Sequence, residues 1–394
     1  IHKNLKLFAI DDLRNRKHNV DITLDQNYYN FNDFNKINLN KNTKFLFGFQ
    51  YALLSEEYAL LHDSVPKRKK LSRVIIFLGG ADPDQIIFDV INILKKTPFS
   101  KLNFDIVVGS QSEYLQKVKD LVSNNKNFQI YNYFESLAPL FIRADAAIGA
   151  GGISSLERAC LMLPSIVITF GLDQFAASNS FYSDGYNIFI GDKSNISYEK
   201  IYNSIEYLSN NIENIKTGYH LVDGKGVERV SIAIMGPKYP IFLRDAVKKD
   251  MSILWQWVND IDVRKNSFNS SYIKFEHHEK WFLETLKNKK RRIYIVTDSN
   301  SVPLGQIRFD LSESGEFSII DISIDSCARS YKLSSQIIIK GIERIREEWD
   351  SIVYFKAKVL KSNYKSISCF KKAGFTIKDD ILINNSVLLI LNNA

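Results

Sequence analysis

Sulfur, histidine and proline are all scarce in this chain, which has three cysteines, three methionines, six histidines and eight prolines in 394 residues. The cysteines, Cys160, Cys327 and Cys369, are odd in number, far apart and set in apolar context. That argues against a disulfide or zinc framework and for a reducing cytoplasmic setting, with no metal expected. No apolar run approaches the roughly 20 residues of a membrane helix, and no signal-peptide pattern opens the chain, so no membrane partner is expected. Aromatic residues do not interleave with the two basic runs, at 67–70 and 287–292. These runs read as solvated loops, and no nucleic-acid partner is expected despite a net charge of +8. A phosphorylated substrate or cofactor explains the basic balance equally well.

What is present is ordinary for a globular protein, with 45% hydrophobic and 24% charged residues, and the length favours two domains. From Lys70 onward, apolar strand-like runs at 73–78, 103–108 and 128–131 alternate with helical stretches at 84–96, 111–124 and 136–143. This is the pattern of a parallel sheet covered on both faces. Ahead of it, Leu5–Ile10 and Val20–Asp25 read as strands, and 27–42 is polar and loop-like. These pieces are too few to bury a sheet alone, so residues 1–62 read as the remnant of a domain whose first units are missing. A second domain is expected over 63–235. The run Gly236-Pro237-Lys238-Tyr239-Pro240 punctuates the chain. After it, over 236–394, the order becomes β-α-α-β-β-β-α-β-α-β, an α+β pattern with its ligand expected where the sheet splits.

The stretch AIGAGGISSLERACLMLPSIVITFGLDQ, Ala147–Gln174, organises the first half. Gly149, Gly151 and Gly152 suit a turn of positive φ and close approach to a ligand. Ser154 and Ser155, with the free N–H groups of a helix start, suit a phosphate, and Glu157 one turn on suits a ribose hydroxyl. Asp173 and Gln174 follow an apolar strand, where ligands of open α/β sheets gather. Gly79 and Gly80 offer a second glycine turn, continued by Ala81-Asp82-Pro83. The plainer alternative is an ordinary βα turn in which the serines only cap the helix.

With Asp11-Asp12, Tyr51-Ala52-Leu53-Leu54, Gly79–Pro83, Gly149–Arg158 and Asp173-Gln174 in this order, residues 1–235 resemble the UDP-sugar hydrolase of pseudaminic acid biosynthesis, related to GT-B glycosyltransferases. The resemblance implies a Rossmann-like domain holding UDP through Gly79, Gly80, Gly151, Gly152, Ser154, Ser155 and Glu157. It places Asp173 and Gln174 near the reacting sugar, Asp173 standing where the family carries Asn. The family's Gly-x-Gly-His element, whose histidine is the expected catalytic group, has no counterpart here. His18, among Arg14, Arg16 and Lys17, reads as a solvated loop residue. Little hydrolysis is therefore expected from the chain as it stands.

Residues 238–394 resemble the GNAT acetyltransferases, particularly those acetylating a UDP-linked amino sugar, through Trp257–Asp260, His278 with Trp281-Phe282, Ile322–Asp325, Arg329–Ser334, Lys361–Asn363 and Phe370–Phe375. The resemblance implies acetyl-CoA as cofactor, held by Ile322, Ile324, Arg329, Ser330, Lys332, Leu333, Ser334, Asn363 and Phe370. Lys332 and Ser334 stand at the family's glycine positions, and Phe370 at a frequent tyrosine. His278 is a candidate base near the amine, against a structural or substrate-positioning role. Trp257 and Trp281 read as core rather than as a sugar platform. The combined expectation is a bifunctional enzyme of nonulosonic acid biosynthesis acting on a UDP-linked amino sugar. A GT-B donor domain fused to an acetyltransferase and a non-catalytic sugar-nucleotide-binding protein are the alternatives.

Overall fold

A computed structural model of the chain describes residues 5–12, 16–27, 43–80, 86–96, 99, 101–109, 115–132, 134–379 and 386–392, with the side chain of Asp173 excepted. Ala81-Asp82-Pro83, Arg14 and nearly all of the polar loop 27–42 lie outside the described residues. The chain forms two compact units, one spanning Leu7–Val227 and the other beginning at Glu228 and including Lys6 from the chain's start.

The first unit opens with β1 (Phe8–Ile10), β2 (Ile22–Asp25) and β3 (Lys44–Phe47), followed by α1 (Glu56–His62). Contrary to expectation, these residues do form a sheet: the three strands are parallel and ordered β1-β2-β3, with Leu24 paired to both Ile10 and Leu46. The unanticipated strand is β3, which completes the sheet. Leu24 and Leu46 are fully buried, so even three short strands hold a core here.

Regular alternation follows: β4 (Arg73–Phe77), α2 (Ile86–Lys96), β5 (Asn103–Val108), α3 (Leu115–Val122), β6 (Phe128–Asn132), α4 (Ala138–Arg143), β7 (Ala146–Ala150), α5 (Ile153–Cys160), β8 (Ser165–Thr169), α6 (Leu172–Ser183), β9 (Ile188–Asp192) and α7 (Tyr198–Asn211). Among the described residues the strands form one parallel six-stranded sheet ordered β6-β5-β4-β7-β8-β9. This is the expected doubly wound, Rossmann-like α/β fold. Val74, Ile76, Ile106, Ile148, Ile166 and Ile168 meet Val90 and Ile91 of α2, Val118 of α3 and Ile201 and Ile205 of α7 in a dry core. The strands read as apolar runs because both sheet faces are covered. Strand order reverses between β4 and β7, the place where open α/β sheets generally bind their ligands.

Residues 172–174, expected only as polar groups at the end of a strand, begin the helix α6, with Gly171 as its N-cap. Its sequence, LDQFAASNSFYS, shows no apolar 3.6 period to announce it.

α8 (Gly226–Met235) carries the chain into the second unit, made of β10 (Phe242–Asp245), α9 (Met251–Val258), α10 (Ile261–Lys265), α11 (Phe275–Lys287), β11 (Arg291–Thr297), β12 (Pro303–Leu311), β13 (Phe317–Ile324), α12 (Ser334–Glu348), β14 (Tyr354–Leu360), α13 (Tyr364–Lys372), β15 (Thr376–Asp379) and β16 (Ser386–Asn392). This is the expected α+β order with the short α10 and a second terminal strand added. The strands form one mixed sheet ordered β10-β11-β12-β13-β14-β16-β15. Met251, Ile253, Leu254 and Trp257 of α9 and Phe282 of α11 pack with Ile293 and Ile295 of β11. Within this sheet the parallel pair β13 and β14 is joined only over Phe317–Ile319 and Tyr354–Lys356. β13 runs on to Ile324 against β12, and β14 to Leu360 against β16, so the sheet splits where the two strands part.

Candidate functional site

Each unit places a helix start beside the open ends of its strands. In the first unit this borders a cavity of about 290 Å³. Gly151, Gly152 and Ser155 at the start of α5, Gln174 of α6, Asp11 and Asp12 after β1, Gln26 and Asn27 after β2, and the aromatic residues Phe49, Phe181, Tyr186 and Phe189 are among the residues that line it. Gln174, Gly151, Gly152 and Ser155 are thus brought together as the sequence suggested. Ser154 and Glu157 are not part of this lining.

The glycine turn works differently from expectation. Gly149, Gly151 and Gly152 do not have positive φ; at Gly149 and Gly151 what glycine supplies is space. A Cβ on Gly149 would stand 2.5 Å from Nη1 of Arg158, and one on Gly151 would stand 2.5 Å from Oγ of Ser178. Gly152 has an open flank, its Cβ position being 3.8 Å from Nε2 of Gln174. Arg158 is the unforeseen residue here. Its buried guanidinium donates to the Ala150 carbonyl at 2.8 Å, to Oγ of Ser154 at 3.0 Å and to Oγ of Ser165 at 3.0 Å, tying the end of β7 to α5. Burial lowers its pKa to about 10, against the opposing pull of Glu157.

Ser154 therefore faces Arg158 inside the unit rather than an open phosphate site, and is 4% exposed. The Ser155 hydroxyl donates to the Gly152 carbonyl at 2.7 Å. Glu157 lies beside the Tyr58 hydroxyl, and burial raises its pKa. Gln174 Oε1 accepts from the Phe170 N–H at 3.3 Å, which leaves its amide nitrogen toward Gly152. Asp173 sits in the first turn of α6. Gly79, with φ of 98°, and Gly80 follow β4 on the neighbouring strand end.

His18 is also corrected. Its ring is mostly buried and places Nε2 3.2 Å from Oδ2 of Asp11, so it is not a solvated loop residue. Asp11 and His18 are seven residues apart in sequence, and no sequence period signals their approach.

In the second unit, the segment Arg329–Ser334 enters α12 with Ser330 at φ of 76° and Lys332 at φ of 57°. Lys332 thus keeps the left-handed backbone of a glycine position without being glycine. Leu333 is buried and serves as N-cap, and Ser334 begins the helix. Half-buried Ile322 and Ile324 lie on β13 beyond its last pairing with β14. Arg329 is engaged within the protein: it pairs with Asp260 at 2.7 Å and Asp262 at 3.0 Å, and donates to the Ile324 carbonyl at 3.0 Å. Asn363 caps α13 by accepting from the Ser366 N–H at 3.1 Å. Phe370 is buried edge-on to Phe375.

His278 does not serve as an accessible base. It is 4% exposed, stacks on Phe282 at 5.9 Å, and burial lowers its pKa to about 4. Trp257 is core, donating Nε1–H to Asp325 at 2.7 Å. Trp281 packs against that core with the guanidinium groups of Arg291 and Arg308 over its ring, 5.8 and 5.7 Å from the centroid.

No protein-family profile matches the chain. It is 30% identical over 195 residues, 48% of its length, to the spore coat polysaccharide biosynthesis protein SpsG of Bacillus subtilis (strain 168), and the match spans 58% of that relative. Solved structures similar to 39% of the chain include the spermidine N-acetyltransferase of Vibrio cholerae in complex with CoA and spermine, at 14% identity and a TM-score of 0.36 over 95% of that protein. Another is the aminoglycoside acetyltransferase AAC(6')-Ib in complex with coenzyme A, at 16% identity and a TM-score of 0.35 over 95% of its chain.

Proposed function

We propose that the chain is a two-part sugar-nucleotide enzyme, the first unit binding a UDP-linked amino sugar and the second transferring an acetyl group from acetyl-CoA to a sugar amine. The partial match to a polysaccharide-biosynthesis protein supports the sugar context of this reading. Nonulosonic acid biosynthesis, as in the pseudaminic acid route, is the context it fits. For the first unit, support comes from the cavity beside the α5 start, where backbone N–H groups favour phosphate oxygens.

The observation that carries the acetyltransferase half is the parting of β13 and β14 directly ahead of the α12 start. The extended arm of a CoA thioester fits between strands that no longer bond each other, and its pyrophosphate fits the N–H groups around Lys332–Ser334. The neutral amine attacks the thioester carbonyl, a backbone N–H of β13 polarises the oxygen, and the C–S bond breaks as the amide forms. The proton lost by nitrogen balances the one gained by the departing CoA thiolate. Phe370 has no proton to give, so water or another group carries it.

The test is to incubate the full chain with acetyl-CoA and a UDP-linked 4-amino sugar. Mass spectrometry is expected to show one acetyl group gained by the sugar, with an equal amount of free CoA thiol. Nucleotide binding with no transfer to any amine would favour the non-catalytic reading instead. UDP release in the same mixture reports on hydrolysis by the first unit.

A further inference from the structure

Ser330 and Lys332 both keep a left-handed backbone, at φ of 76° and 57°, in the segment that enters α12. A side chain makes that conformation costly, and it persists only where the surroundings impose it. The segment is held on its C-terminal side by Leu333, which is buried, and midway by Tyr331, whose hydroxyl donates to the Ala233 carbonyl at 2.9 Å. On its N-terminal side the hold is Arg329. Each of the three guanidinium nitrogens donates inside the unit: Nε to the Ile324 carbonyl at 3.0 Å, Nη1 to Oδ2 of Asp262 at 3.0 Å and Nη2 to Oδ1 of Asp260 at 2.7 Å.

The acceptors are themselves fixed. Asp260 is the N-cap of α10, its Oδ1 also accepting from the N–H groups of Asp262 at 3.0 Å and Val263 at 3.1 Å. Just ahead of it, Asn259 exchanges two hydrogen bonds with the backbone of Ile273, at 2.8 and 2.9 Å, which closes the chain around α10. A second link joins the same parts of the unit. Trp257 of α9 donates Nε1–H to Oδ2 of Asp325 at 2.7 Å, and the Asp325 carbonyl accepts from the Arg329 N–H at 3.1 Å. The corner between α9 and α10 is thus fastened at two points to the segment between β13 and α12. A phosphate taken by the Arg329 side chain would lie beside two carboxylates, and like charge opposes that.

We infer that Arg329 is a positioning residue and not a ligand of acetyl-CoA: with Asp260 and Asp262 it clasps α10 to the segment 330–334 and holds that segment in the shape that accepts a pyrophosphate. The inference rests on the proposed binding of acetyl-CoA by the second unit, and adds what presets the site in place of glycine.

Asp260→Asn separates a clasp from a ligand by the sign of its effect. Asparagine caps a helix as well as aspartate does, so the variant keeps the α10 cap and removes the charge facing Arg329. Calorimetry with acetyl-CoA on the full chain compares wild type, Asp260→Asn, Asp262→Asn, Arg329→Gln and the double variant Asp260→Asn with Arg329→Gln, and melting curves establish that each is folded. The expected result is weaker acetyl-CoA binding in Asp260→Asn, on the order of tenfold, and a similar loss in Arg329→Gln. The double variant should lose no more than Arg329→Gln alone, because both changes cut one link. A smaller loss is expected for Asp262→Asn, whose carboxylate is the more exposed of the two. Tighter binding in Asp260→Asn would mean that a phosphate-binding arginine had been released, and overturns the inference. Unchanged affinity in Asp260→Asn or Arg329→Gln, the mark of a pair that only stabilises the fold, overturns it too, as do losses that add in the double variant. Should Asp260→Asn not fold, Asp262→Asn decides, and a gain or no change there overturns the inference. Each of these results leaves acetyl-CoA binding by wild type standing, whereas failure of wild type to bind acetyl-CoA overturns the cofactor reading and this inference together.

Discussion

The two helix starts divide between them what a glycine turn usually combines. At Gly149–Ile153 there are three glycines and no left-handed backbone among them; at Gly149 and Gly151 the hydrogen in place of a side chain makes room, at Gly149 for the buried Arg158 guanidinium. At Ser330–Ser334 the left-handed backbone is present twice and glycine not at all. Space and handedness are separate physical demands, and a motif written in glycines does not say which one it meets. The first turn fails if volume is added at Gly149 or Gly151. The second already carries strain and would relax if volume were removed.

Gly149→Ala tests the first half of that contrast most severely. Its methyl would displace a guanidinium whose acceptors are all inside the unit, and a loss of about 3–5 kcal/mol is expected, the range for disrupting a buried charged network. Urea denaturation of the variant checks it, and a loss under 1 kcal/mol would show that Arg158 can move aside.

Both units bury a hydrogen-bonded arginine, Arg158 in the first and Arg264 in the second, and both bury a histidine whose pKa burial lowers, His62 and His278. With its pKa near 4 in the folded state against an ordinary 6.5, His278 is protonated first in the unfolded chain. Its contribution is therefore complete above pH 6.5 and is lost as pH falls toward 4, by about 3 kcal/mol at most. Denaturation of wild type and His278→Met across that window should show a shallower pH slope in the variant.

Lys332→Gly is expected to stabilise the second unit by on the order of 1 kcal/mol, strain relief exceeding the added freedom of the unfolded chain. Thermal melting measures this. Acetyl-CoA affinity in the same variant rises if the side chain obstructs the pyrophosphate and falls if its ammonium contacts it. The smallest effect belongs to Gly152→Ala, where the added carbon meets nothing nearer than 3.8 Å. A shift within about 0.5 kcal/mol is expected by urea denaturation. A large loss there would make all three glycines of the turn equivalent and collapse the contrast.

Most of the architecture was legible because burial on both sheet faces writes strands as apolar runs and helices as periodic ones. The alternation from β4 to β9 and the mixed order of the second unit follow from that rule. β3 escaped because KFLF is only four residues after an Asn-rich stretch, and the start of α6 because its small and polar residues carry no period. Within the candidate sites, Gly151, Gly152, Ser155 and Gln174 could be found since one short stretch holds them all. Asp11 with His18, and Gly149 with Arg158, are tertiary pairs. Their partners are chosen by a turn or a helix face and not by spacing along the chain. His278 misled for a related reason: a histidine beside Trp281 and Phe282 reads the same whether the aromatic neighbours wall a site or seal a core.

The three-position contact between β13 and β14 has a consequence for how the second unit comes apart. In cooperative terms its sheet is two sub-sheets, β10-β11-β12-β13 and β14-β16-β15, welded at one end. The weld is reinforced on one face, where Phe317 stacks on Tyr354 at 5.4 Å and the Lys356 ammonium sits 3.6 Å over the Phe317 ring. Opening at that seam would separate the unit without breaking either sub-sheet, so its slowest-exchanging amides belong to the flanking ladders and the seam is where local unfolding begins.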